Sequence, residues 1–371
     1  MKNTSLIVIL LLSISFSLSA QNTSKKDSID SKDKKVSLVG IPMINYSNSF
    51  GASFGAYGSG FYHAQKNDTI SPLSSSGVIG MYTTNKTWFV GQLNKLYLNE
   101  DKLRLKTAIG TGNINFQTYV SWPSFMNLFP INVSSSNDEG DFIDYSTTMF
   151  FAYGEILFKV YKDLYAGTHF VYSHSETDFD LPLVPNELID QFGFGASFAN
   201  DSRNNQLAPT EGIHAKFNTL SFLEDFGSTN SYTKINLEYT HYFPIGKRNT
   251  VLARYYGDIS SGDVPFAGQN VVGRDDLRGY SNGKFRGNQV HAVQSEYRHW
   301  FADRWGFVAF GGMATAVDYL AEVNIGDMLP AAGFGVRFLA IPKSKINIGI
   351  DVAAGKDDWG IYFRIGEAFT R

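Results

Sequence analysis

The sequence predicts an all-β fold, a transmembrane antiparallel β-barrel of about sixteen strands. Three observations carry this. Apolar and polar residues alternate with a period of two from Val36 to near the end of the chain, the signature of strands with one face in each environment. Charged residues make up 18% and aromatic residues 15%, with 35 glycines. Soluble domains carry about 25% charge, and the combination here suits a barrel that faces lipid. Beyond the first residues, no apolar run reaches the ~18 residues that a spanning helix needs.

The chain opens with Lys2, an apolar run from Leu6 to Ile14 and the small-residue stretch "SFSLSAQ". This pattern predicts a secretory signal peptide over 1–20, cleaved near Ala20. Residues 21–37 follow as a short polar leader, expected to be disordered. Its core, "NTSKKDSIDSKDKK", is almost free of apolar side chains. The barrel is then expected over 38–371.

The strands are expected at 38–47, 50–63, 77–85, 87–98, 102–119, 146–160, 163–176, 188–201, 211–223, 229–243, 248–260, 288–301, 304–316, 331–342, 345–355 and 358–369. The alternation is clearest in "YTKINLEYTHYF", where Ile235, Leu237, Tyr239, His241 and Phe243 oppose Lys234, Asn236, Glu238 and Thr240. "KINIGIDV" sets Ile346, Ile348, Ile350 and Val352 against Asn347 and Asp351, and "GIHAKFNT" sets Ile213, Ala215 and Phe217 against His214, Lys216 and Asn218. A soluble β-sandwich also alternates. Here the polar faces carry Arg104, Lys106, Glu155, Lys159, Arg254, Arg298, Arg337 and Arg364, and the apolar faces end in aromatic residues, as interfacial girdles do. Long connections are expected at 120–145, 177–187, 261–287 and 317–330, and short ones near 161–162, 244–247 and 302–303. Long loops belong outside the cell and short turns in the periplasm, which puts both termini in the periplasm.

Composition excludes several functions. A formal net charge of -3 argues against nucleic acid as a partner. The absence of cysteine removes disulfides, thiolate metal sites and thiol nucleophiles. None of His63, His169, His174, His214, His241, His291 and His299 sits in a zinc spacing or beside a nucleophile elbow. His169 and His174 are five apart on one strand and so point to opposite faces. His241 and His299 fall on apolar faces near strand ends. "GTGN", Gly110–Asn113, is too short for a nucleotide loop and reads as a strand kink. The chain reads as a non-enzyme without a cofactor or a metal.

The sixth extracellular loop carries "GRDDLRGYSNGKFRGN", Gly273 to Asn288. Within it "LRGY" (Leu277, Arg278, Gly279, Tyr280) resembles the Val-Arg-Gly-Phe signature of the BamA/TamA superfamily (bacterial surface antigen type), in the same place between the eleventh and twelfth strands. "DSRNNQLAPTEG" resembles that family's periplasmic turn, carried by Asp201, Arg203, Pro209 and Gly212. "SEYRHWF" is similar to its Glu-aromatic-Arg strand. "GIYFRIGEAF" is similar to its closing strand, with Tyr362, Phe363 and the terminal aromatic Phe369. "PMINYSNSFGASFGA" resembles its opening strand pair. The resemblance spans 38–369.

The resemblance implies a loop that folds back into the lumen, with Arg278 against carboxylates of the wall. Alternation in "HAVQSEYRHW" puts Tyr297 on the lipid side and both Glu296 and Arg298 in the lumen. Gly279 permits a tight turn beside the wall, and Tyr280 can pack on it. The next strand, "FVAFGGMATA", lacks the family's usual acid, so the loop is expected to rest on Glu296 alone. A barrel this wide is expected to hold water, which would make the pair worth only about 0–1 kcal/mol. The chain ends "AFTR", so Phe369 is not its final residue. Between the predicted cleavage site and the first strand there is no room for a folded domain of about 50 residues or more. A short member without periplasmic recruitment (POTRA) domains, and without a patatin-like lipase domain, is therefore expected.

The resemblance implies an outer-membrane barrel that assists protein insertion or translocation through a lateral seam between its first and last strands. Pro42, which cannot donate to a ladder, suits a strand edge at that seam. Expected partners are outer-membrane lipid and client or partner outer-membrane proteins, in a Gram-negative bacterium. Self-association is left open. Two other readings stand beside this one: a structural or accessory barrel subunit of a larger outer-membrane complex, and a channel for solutes or lipid.

Overall fold

The computed structural model describes residues 36–47, 51–120, 141–179, 186–273, 276–281 and 283–369. The expected signal peptide and nearly all of the leader lie outside the described residues. Val36 and Ser37, assigned above to the leader, already belong to the first strand.

Sixteen strands form one antiparallel sheet in sequence order. They are β1 (Val36–Ser47), β2 (Gly51–Tyr62), β3 (Ser74–Thr83), β4 (Trp88–Leu98), β5 (Leu103–Val120), β6 (Asp141–Tyr161), β7 (Leu164–Phe179), β8 (Glu187–Asp201), β9 (Gly212–Phe222), β10 (Tyr232–Ile245), β11 (Asn249–Gly262), β14 (Gln289–Trp300), β15 (Trp305–Val317), β16 (Leu329–Ile341), β17 (Ile346–Gly355) and β18 (Asp358–Ile365). Two short strands, β12 (Asn270–Val271) and β13 (Arg286–Gly287), pair with each other inside the loop between β11 and β14. The sheet curls until β18 lies beside β1. No ladder joins these two strands, so the barrel is nearly closed with an unsealed seam.

Period-two patterning accounts for the orientation of the strands. In β14, Val290, Ala292, Glu296 and Arg298 are buried, whereas Val293 and Tyr297 are exposed on the outer face. His169 is buried in the interior, while His174 pairs with Asp190 on the outside, so the two do point to opposite faces. The described connections 223–231 and 318–328, with the described parts of 263–288, lie at one end of the barrel. The opposite end has mostly short turns, with 63–73 and 202–211 longer.

The structure corrects three expected boundaries or features. β6 begins at Asp141 and so extends further toward the long-loop end than alternation suggested. Gly110 and Gly112 make no kink, because the β5 register with β4 and β6 is unbroken. Instead, a Cβ on Gly110 would lie 2.6 Å from the Phe151 ring and 2.9 Å from Phe89, so the glycine makes room for two rings against the wall. Finally, β18 stops at Ile365 and does not reach Phe369. Gly366, at φ 79°, turns the chain out of the sheet.

Candidate functional site

The long loop after β11 folds inward. Leu277 and Tyr280 join Val272 of the same loop in an apolar cluster with Tyr256, Val290 and Leu329 of the inner wall. Burying each large side chain stabilises the folded loop by roughly 1.5–3 kcal/mol. The β12–β13 pair ties the two arms of the loop together, and Asn270 Nδ2 donates to the Asn288 carbonyl at 2.8 Å.

At the loop tip Arg278 is 6% exposed. Its guanidinium donates to Glu296 Oε2 at 2.5 Å and to Asp351 Oδ2 at 2.8 Å, and it lies 3.3 Å from the Phe310 ring centroid. Gly279 sits at φ 112°, and a Cβ there would approach the Ala354 carbonyl carbon to 3.0 Å. Its N–H donates to the Tyr362 hydroxyl at 2.9 Å. Tyr280 donates to the Pro330 carbonyl at 2.7 Å and accepts from the Lys356 N–H at 2.9 Å. Burial raises its pKa. Ser281 N–H and hydroxyl both bond Asp358, at 2.7 and 3.0 Å. The tip thus touches β14 through Glu296, β16 through Pro330, β17 through Asp351 and β18 through Asp358 and Tyr362.

Two expectations are corrected here. The loop arginine does not rest on Glu296 alone, because β17 supplies Asp351 as a second acid. The pair is not in open water either, because the Glu296 and Asp351 side chains are both 0% exposed. At a dry site, losing the sole partner of a buried charge costs about 3–5 kcal/mol; here each acid keeps another arginine when Arg278 is removed.

The network continues toward the short-turn end. Asp351 also accepts from Arg337 at 2.5 Å and Arg364 at 2.8 Å. Arg298 donates to Glu296 Oε1 at 2.7 Å and to the Pro209 carbonyl at 3.0 Å. Arg298 therefore supports Glu296 and does not touch the loop signature in the way Glu296 does. Glu367, beyond β18, accepts from Arg337 at 2.8 Å and from Asn347 at 2.6 Å. The final described segment thus lies inside the barrel. Phe369 is no terminal residue of a closing strand: its ring centroid is 4.4 Å from the Arg254 guanidinium carbon and 5.1 Å from that of Arg278. Its carbonyl accepts from the Tyr242 hydroxyl at 3.1 Å.

A second cluster holds the 202–211 turn. Asp201 accepts from Arg203 at 2.6 Å and from Arg104 at 2.7 Å, and Arg104 also pairs with Asp101 at 2.7 Å. Burial opposes the charge on Arg203, but Asp201 carries its pKa above the ordinary guanidinium value. Gly212 adopts φ 103°, and a Cβ there would collide with the Ser202 carbonyl. Pro209 is buried and presents its carbonyl to Arg298. The Leu207 carbonyl accepts from the Glu367 N–H at 3.0 Å. The turn, the loop and the Gly366–Phe369 segment therefore meet in one interior network.

The remaining candidates lie at the seam. Pro42 is in β1 opposite Ala56 and is exposed. Tyr362 points inward to Gly279, whereas Phe363 pairs with the outward-facing Ile350. Among the described residues no group of three or more acids or histidines is placed to hold a metal.

The nearly closed antiparallel barrel with an inward loop and a buried arginine defines an outer-membrane β-barrel protein. The Omp85 superfamily domain matches residues 97–369, and the chain belongs to that superfamily. No curated protein matches the sequence. Among solved structures, the chain is similar to BamA from Haemophilus ducreyi lacking POTRA domains 1–3, with a TM-score of 0.56 and 14% identity over 90% of this chain and 71% of that one. It is also similar to CdiB from Acinetobacter baumannii (TM-score 0.55, 10% identity, 90% of this chain) and CdiB from Escherichia coli (0.54, 10%, 89%). It spans 60% and 63% of the length of those two CdiB chains.

Proposed function

We propose that the protein assists insertion or translocation of outer-membrane proteins through the seam between β1 and β18, in the outer membrane of a Gram-negative bacterium. The observation that carries this is the missing ladder between these strands. β1 has 12 residues and β18 only 8, so their lengths do not match. Pro42 removes one backbone donor from β1. β18 is held from within through Asp358, Tyr362 and Arg364. An edge of this kind suits a client strand that adds by β-augmentation. On this reading Arg278, with Glu296 and Asp351, keeps the loop docked against β14 and β17 while the seam works.

The chain has no cysteine, so paired cysteines scanned along β1 and β18 test the reading directly. A disulfide is expected to form, to leave the barrel folded and to abolish client insertion. Full activity in a quantitatively crosslinked protein overturns lateral opening. One observation favours a second reading, an accessory barrel within a larger complex. Tyr319, Leu320 and Ile325 in the 318–328 connection are 68%, 64% and 86% exposed. Co-purification with one stable partner, lost on mutating these residues, supports that reading.

A further inference from the structure

The interior has two unlike halves. The β14–β18 side is filled by ion pairs and the inward loop. Strand pairing gives the other side a different lining. Ile79, Met81, Phe89, Leu93, Met149 and Phe151 share the lumen face of β3, β4 and β6. The Phe89 and Phe151 rings stack with centroids 6.0 Å apart, leaning on Gly110. Leu93 is 41% exposed although it faces inward. The lumen-facing positions of β2 and β3 carry no charge: Ser53, Gly55, Tyr57, Ser59 and Phe61 on one, Ser75 through Thr83 at alternate positions on the other. A water-filled lumen is ordinarily lined by polar side chains, so this face departs from that pattern.

Below the apolar face, at the short-turn end, the same wall turns cationic. Lys95, Arg104, Lys106 and Lys216 surround a small cavity there, with Glu155 and Asp201 as the acids. The adjoining turns add one charge of each sign, Asp101 and Arg203, so cations stay in excess. Lys216 pairs with Glu155 at 2.8 Å, and Arg104 with Asp101 and Asp201.

We propose that the lumen face of β3–β6 binds an anionic membrane lipid, its acyl chain along Leu93, Phe89 and Phe151 and its headgroup toward Lys95 and Lys106. The apolar face offers dispersion and burial without directional donors, which suits an acyl chain better than a peptide strand. The cationic end complements an anionic headgroup. The apolar face begins on β3, which pairs with β2 and so lies two strands in from the unsealed edge at β1. Binding does not rest on client exchange at the seam, because it is read in the unmodified chain without any client.

The test is photolabelling of the purified full-length chain in vesicles. One arm uses phosphatidylglycerol with a diazirine at the acyl chain end, the other the matching phosphatidylcholine. Outward positions such as Val90 are expected to label in both arms. Inward positions Leu93 and Met149 are expected to label with the anionic probe and about tenfold less with the zwitterionic one, a difference of about one order in affinity. Lys106→Gln, checked for folding by its heat-shifted gel mobility, should reduce only the inward adducts. Adducts confined to outward positions, or equal inward labelling by both headgroups, overturn the proposal.

Discussion

Arg278 and Asp351 are 73 residues apart in sequence and 2.8 Å apart in the structure. That contact joins the inward loop to β17, two strands beyond the Glu296 strand's neighbour. Asp351 accepts from three arginines, Arg278, Arg337 and Arg364, whereas Glu296 accepts from Arg278 and Arg298. Each of Asp351→Asn and Glu296→Gln removes a buried charge partner, a loss of about 3–5 kcal/mol, and Asp351→Asn should cost the more because it leaves three arginines short of an acid. Thermal unfolding followed by heat-shifted mobility on gels measures this. Equal losses would contradict the unequal sharing.

Arg278→Ala should leave a folded, membrane-inserted barrel, because Arg298, Arg337 and Arg364 still neutralise the two acids. The loop tip should become accessible to protease within 272–285. The double variant Glu296→Gln with Asp351→Asn should deviate from additivity by about 0.5–3 kcal/mol, since both act through one guanidinium. Additive losses would mean that Arg278 does not couple them.

Gly279 and Gly212 hold positive φ, where a Cβ would crowd the Ala354 carbonyl in the first and collide with the Ser202 carbonyl in the second. Each alanine variant should cost about 1–3 kcal/mol through strain alone. The losses should appear in different places. Gly279→Ala should expose the loop to protease, and Gly212→Ala should expose the 202–211 turn. Limited proteolysis with mass mapping separates the two.

Glu367→Gln should weaken the hold on Arg337 and Asn347, and Phe369→Ala should remove the ring beside Arg254 and Arg278. Both variants are expected to lower the unfolding temperature while the sixteen-strand sheet remains. An unchanged unfolding temperature in both would show that the inward segment is not an energetic part of the interior.

Alternation made the strands legible, because each one separates lipid from lumen residue by residue. The boundary errors sit where strands outrun the membrane or meet a turn. Glu296 and Arg298 were legible for the same reason. Asp351 was visible as a lumen-facing acid in "KINIGIDV", yet local pattern does not say which lumen acid a distant loop will reach. The dry site was missed because strand number speaks for a wide lumen, whereas occupancy by the loop, the turn and the Gly366–Phe369 segment depends on tertiary packing. The inward turn at Gly366 did leave a signal. Inward positions of β18 are even-numbered, so continued strand would have put Glu367 against lipid, where a carboxylate is costly.

That inward turn has a practical bearing on how the chain can be handled. Phe369 packs against Tyr242, Arg254 and Arg278. Anything fused directly after it starts its path inside the barrel and competes with the loop for space. A purification handle or fluorescent reporter is better placed in the exposed 246–248 turn between β10 and β11, outside the interior network. A fusion there leaves the inward 366–369 segment untouched, so the label and the interior network do not displace each other.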